Sequence, residues 1–155
     1  TKNNSVGCLF TFNLSYQPQM INKFSADSEL GFSLLEEVKR TLSILYTIKN
    51  TWRMLQGQFS LHSTYQDYIA GSTSSAGLGI AISLFNLARM VNGSTPVPGI
   101  LGTGFVRLNG HIESVDGIEH KSRAVINSAG SYKKMLTAAD ITHLYFLDRV
   151  LVKKT

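Results

Sequence analysis

The sequence predicts one α+β domain of mixed helix and sheet, and three observations predict it. Apolar residues recur at spacings of three and four from Leu30 to Ile48, the signature of a long amphipathic helix. Short alternating runs at 6–14 and 58–64, with an Asn109-Gly110 pair between two further runs, mark strands and a hairpin. The 155 residues, 43% of them hydrophobic, suffice to bury a core without metal or disulfide staples, so 1–155 reads as a single domain.

The elements follow in order. Residues 6–14 alternate loosely between apolar and polar types and run into Ser15-Tyr16-Gln17-Pro18, which predicts a strand and then a loop. Asp27 stands as the N-cap of the long helix, in which Leu34, Leu35, Val38, Leu42, Leu45 and Ile48 form one buried stripe. A strand over 58–64 leads into a loop of small residues at 70–77. A second helix follows over 76–92, with Gly93 where a left-handed C-terminal cap is favoured. Leu78, Ile80, Ile82, Leu84, Phe85, Leu87 and Val91 fall on no single face, so this helix is expected to be covered on most sides. Asn109-Gly110 then joins strands at 102–108 and 111–115. A third helix starts near Asp116, a short strand lies at 134–137, and 141–152 fits either helix or strand.

Composition narrows the function classes. Charged residues make up 16% of the chain, against roughly 25% in typical soluble domains, so contacts with a partner or with other copies are expected to cover part of the surface. The net charge of +5 is dispersed in pairs such as Lys39-Arg40 and Lys133-Lys134, with no long basic run of the kind that forms a nucleic-acid arm. Cys8 is the one cysteine, which excludes an internal disulfide and a cysteine metal cluster; it is either a small core residue or a lone nucleophile. His62, His111, His120 and His143 have no metal-ligand spacing, and neither a phosphate loop nor a Gly-x-Ser-x-Gly elbow occurs, position 73 being threonine. No charged-then-apolar leader and no membrane-length apolar run is seen, so a soluble, intracellular and cytoplasmic chain is expected. It opens on Thr1 rather than Met, as a piece of a longer protein or a processed product would.

Two positions carry possible chemistry. Ser75 sits where the polar loop enters the buried second helix, among unpaired backbone N–H groups and at the positive end of the helix dipole. That place suits an oxyanion. It equally suits an N-cap, a role open to Ser72, Thr73, Ser74 and Ser75 alike. On the third helix Ile118, Lys121, Val125 and Ala129 share one face, which puts a lysine on the apolar stripe. Either its ammonium snorkels to water, or it is desolvated and its pKa falls from about 10.4 toward neutrality, as a base for serine requires.

At these residues a family resemblance becomes specific. Ser75-Ala76-Gly77 before an apolar helix, Gly102-Thr103-Gly104 opening a hairpin, Asp116-Gly117-Ile118-Glu119-His120-Lys121, and Ala129-Gly130 resemble, in order and approximate spacing, the proteolytic domain of Lon proteases. The likeness runs from about residue 6 to 152 and is carried by 70–130. It departs at Ser74, where the family usually has proline, at Phe105, where it usually has an acidic residue, and at Asp116, where it has glycine. The link between Ser75 and Lys121 is also a few residues longer. Such departures fit a divergent branch, like the birnavirus polyprotein protease.

The resemblance implies the Lon proteolytic fold, similar to the second domain of ribosomal protein S5. It implies a serine endopeptidase in which Ser75 is the nucleophile and Lys121 its general base, a Ser-Lys dyad working through an acyl-enzyme. Backbone N–H groups of Ser74, Ser75 and Ala76 would hold the oxyanion. Thr103 would hold the lysine amine, unless it serves only as a β-former at a strand start. No cofactor or metal is expected. The partners would be a peptide or protein substrate and either further copies, as in a hexameric ring, or an ATPase domain not contained in this sequence; a viral branch would act in host cytoplasm as a monomer. The alternative is a non-catalytic module of the same fold that binds RNA or protein through its basic excess.

Overall fold

The computed structural model describes residues 12–27, 29–48, 55–63, 74–114 and 134–152. Among them lie three α-helices and three small sheets, a mixed helix-and-sheet domain. The first half of the chain gives strands β1 (Phe12–Pro18) and β2 (Lys23–Ala26), helix α1 (Glu29–Ile48) and strand β3 (Gly57–Ser63). They form a sheet of order β1-β3-β2, with β1 antiparallel and β2 parallel to the central β3. In β3 the residues Gly57, Phe59 and Leu61 are buried while Gln58 and Ser60 are half-buried and His62 is exposed, the period of two that puts one face on a core. The Phe59 ring lies 5.0 Å from Tyr16 on β1 and stacks 5.3 Å from Phe24 on β2. Residues 15–18 therefore continue β1 instead of forming the expected loop. Tyr16 gains aromatic contact opposite Phe59, and Pro18 ends an outer strand, where a missing N–H breaks no central ladder.

Helix α1 buries the expected stripe: Leu34, Leu35, Val38, Leu42 and Leu45 are almost inaccessible, and Ile48 is half-buried at its end. Asp27, the expected cap, stands two residues before the first described residue of the helix, and residue 28 between them lies outside the described residues. The Asp27 carboxylate pairs with His62 Nδ1 at 3.0 Å.

A 3₁₀ turn (Ser74–Ala76) leads into α2 (Gly77–Val91). Gly77, Leu78, Ile80, Ala81, Ile82, Leu84, Phe85 and Ala88 are all buried, on faces pointing several ways, so α2 is the central helix expected. Its C-terminus closes with a Schellman motif: Gly93, at φ +84°, donates to the Met90 carbonyl, and Ser94 N–H donates to that of Arg89 at 2.7 Å.

Strands β4 (Ile100–Gly102), β5 (Phe105–Val106), β6 (Ile112–Glu113) and β7 (Lys134–Leu136) follow, β4 parallel to β7 and β5 antiparallel to β6. The hairpin at Asn109-Gly110 is present. Arg107 accepts from Gly110 N–H and donates to the His111 carbonyl, leaving Leu108, Asn109 and Gly110 as a three-residue loop with Gly110 at φ +94°. The single strand expected over 102–108 is broken at Thr103-Gly104, where the chain leaves β7 for the start of α2. The ambiguous 141–152 is helical: a 3₁₀ turn (Leu144–Phe146), capped by His143 Nδ1 accepting from Tyr145 N–H at 2.9 Å, runs into α3 (Leu147–Leu151). The strand start at 6–11, Cys8, the third helix expected from Asp116 and the Ala129-Gly130 pair lie outside the described residues. No described helix is long and apolar enough to cross a membrane.

Candidate active site

Ser75 lies half-buried in the middle of the 3₁₀ turn that feeds α2. The residue before the first turn of α2 is Ala76, whose backbone is already helical. Of the residues 72–75 read as cap candidates, 72 and 73 lie outside the described residues.

What fixes the turn is the break between β4 and β5. Gly104 N–H donates to the Ser75 carbonyl at 3.0 Å, and the Gly104 carbonyl accepts from Leu78 N–H at 3.1 Å. One residue earlier, Thr103 N–H donates to the Leu136 carbonyl on β7 at 3.0 Å. Adjacent amides of Thr103-Gly104 thus tie β7 to the turn that carries Ser75. With these backbone groups satisfied by one another, a strand can end beneath a helix without orphaned donors.

Glycine makes this approach possible. A Cβ on Gly79 would come 3.0 Å from the Gly102 carbonyl, one on Gly102 would meet Ile82 Cδ1 at 2.8 Å, and one on Gly104 would meet Ile112 Cγ2 at 2.9 Å. The Gly77-Leu78-Gly79 and Gly102-Thr103-Gly104 pairs face each other, so their purpose is close packing of α2 on β4 and β5.

Thr103 is 6% exposed, one of the two buried polar residues described. It belongs to neither strand, sitting between the end of β4 and the start of β5, so a role as a β-former at a strand start does not describe it. The structure thus brings Ser75 and the Thr103-Gly104 pair together across α2. Ser74 and Ala76 flank Ser75 in the same turn. Lys121 lies outside the described residues.

Beyond Gly104 the surface changes character. Phe105 is covered by the Arg40 guanidinium, whose central carbon stands 4.7 Å from the ring centroid. With Arg107, Leu108 and Asn109 they line an open groove of about 570 Å³. Arg107 Nε pairs with Glu113 Oε2 at 3.1 Å across the hairpin. An arginine from α1 thus stands over the aromatic ring at position 105. Phe105 was visible in the sequence; Arg40 was not, because it flanks the α1 stripe and only helix packing brings it to β5.

Among the described residues no three His, Cys, Asp or Glu side chains group as metal ligands. No protein-family model matches the chain, and no curated protein matches it.

Proposed function

We propose that the chain is a serine endopeptidase of Lon-like build, with Ser75 as nucleophile and Lys121 as general base. What supports the reading is the clamp between Ser75 and Gly104, which joins the serine block and the Gly-Thr-Gly block of the sequence at the head of a buried helix. Half-burial and the backbone bond to Gly104 narrow the conformations open to this serine, which favours nucleophilic catalysis.

In this reading Ser75 Oγ attacks the peptide carbonyl while Lys121 Nζ, neutral beforehand, takes the hydroxyl proton. The carbonyl oxygen becomes an oxyanion held by N–H groups of the turn at residues 74–76, where the positive end of the α2 dipole assists. Collapse of the tetrahedral intermediate breaks the C–N bond, and Lys121 returns its proton to the leaving amine. Water, deprotonated by Lys121, then hydrolyses the ester and regenerates Ser75 Oγ–H. Thr103 Oγ holds the lysine amine in place. Substrates are loose peptide segments or one dedicated processing site, and assembly into a ring is compatible with the low charge.

The test is the rate at which a serine-directed acylating probe labels Ser75, read by intact mass over pH in the parent and in Lys121→Ala. Labelling is expected to rise through a pKa well below the roughly 10.4 of free lysine and to disappear in the variant. Appreciable labelling or peptidase turnover in a folded Lys121→Ala chain would remove the dyad, and a Ser75 inert at every pH would favour a binding module.

A further inference from the structure

We infer that the groove over Phe105 is a subsite for an acidic side chain, an aspartate or glutamate of a bound peptide. The inference rests on the peptidase reading above and names what that site selects.

Two of the five groove residues are cations, Arg40 arriving from α1 and Arg107 from the β5–β6 hairpin. The Arg40 guanidinium stands over the Phe105 ring, and its Nη1 is buried with no hydrogen-bond partner. Arg40 is only partly buried and lines the groove beside Arg107, and a carboxylate is the ligand that two neighbouring guanidinium groups hold best, since its two oxygens match the planar fork. Two acids stand near these arginines, and neither makes a two-oxygen bond to one of them. Glu37, one turn earlier on α1, also has a buried oxygen without a hydrogen-bond partner. Glu113 engages Arg107 through Nε, and both of those side chains are about half exposed. Leu108, 76% exposed at the hairpin tip, offers an apolar wall for the methylene stem of the incoming residue.

Position makes this a substrate subsite instead of a stray surface patch. Phe105 directly follows Gly104, the residue whose N–H holds the Ser75 carbonyl. The strand that carries Phe105 packs against the turn that carries Ser75, which puts the groove wall next to that turn.

The test compares two short labelled Ala-Gly peptides, one carrying paired glutamates and the other glutamines at the same places. Binding is read by fluorescence anisotropy on the Ser75→Ala chain, so that turnover does not intervene, and hydrolysis is read separately on the parent. The glutamate peptide is expected to bind at least about tenfold more tightly, an advantage that Arg40→Gln or Arg107→Gln each reduces severalfold. Arg40→Lys, which keeps charge but loses the fork, should fall between. Arg107 is more than half exposed on the hairpin, so its variant keeps the question decidable if Arg40→Gln unfolds. Equal affinity for the two peptides, or discrimination that survives both substitutions, overturns the subsite. So does a short RNA that occupies the groove while the glutamate and glutamine peptides bind alike. Glutamate preference in a chain whose Ser75 no acylating probe labels at any pH would uphold the subsite and reject the peptidase reading; hydrolysis of both peptides at equal kcat/KM would do the reverse.

Discussion

Glu37 and Arg40 stand one turn apart on α1, each with a buried side-chain atom that makes no hydrogen bond. Burial raises the Glu37 pKa above its ordinary 4.5, while the Arg40 charge pulls it back. A carboxyl with a raised native pKa holds its proton more tightly folded than unfolded. Its contribution to stability is therefore full below the unfolded value and is lost as pH rises through the native one. Glu37→Gln removes that titration. Its urea midpoint should equal the parent's well below pH 4.5 and exceed it at neutral pH; a variant no more stable than the parent at neutral pH would contradict the burial argument. At this scale the place of Ser75 at the head of α2 and that of Thr103 ahead of the hairpin were legible, because a serine run before an apolar helix and a Gly-Thr-Gly before an Asn-Gly turn are local patterns. The pairing of Arg40 with Phe105 was not, because it depends on the angle at which one element crosses another.

The C-terminus of α2 shows how cleanly a single element can be read. A helical run ending in Asn92-Gly93 predicts a left-handed residue, and Gly93 adopts φ +84° with both Schellman bonds made. Nothing lies within 4 Å of a Cβ placed on Gly93, so Gly93→Ala meets no clash and its cost is purely conformational. Thermal unfolding should show a loss of about 1–2 kcal/mol for Gly93→Ala and less for Gly93→Asn, since asparagine tolerates this region. A loss equal in both variants would point to a cause other than backbone conformation. The amphipathic α1 was equally legible from its spacing. By contrast, the split of the expected 102–108 strand was hidden, because the acceptors that split it, Leu136 and Ser75, are remote in sequence. The short β2 went unread for a similar reason: Lys23–Ala26 is too brief to show a period and is extended only because β3 lies alongside.

Across the whole molecule one large cluster joins Val38, Leu42 and Leu45 of α1 to Leu55, Phe59, the buried face of α2, Leu136 and the C-terminal Leu147 and Leu151. Phe59 is fully buried at the centre of the three-stranded sheet and is gripped by an aromatic ring from each neighbouring strand. Phe59→Ala should cost about 3–5 kcal/mol in urea unfolding, the range for a large aromatic lost from a packed core. A cost under about 1 kcal/mol would mean that this sheet is not part of the cooperative unit. Mixed helix and sheet could be inferred from the sequence because its alternating and helical periods occur side by side; which strands pair, and the parallel joining of β4 to β7, could not. That last pairing has a consequence in time. On the ribosome Ser75, α2 and Thr103 emerge well before Leu136, the residue whose carbonyl receives the Thr103 N–H. A nascent chain therefore carries Ser75 and Gly104 before it has the strand to which Thr103 is tied, and the β4 end of the chain is anchored on both sides only once β7 has been made.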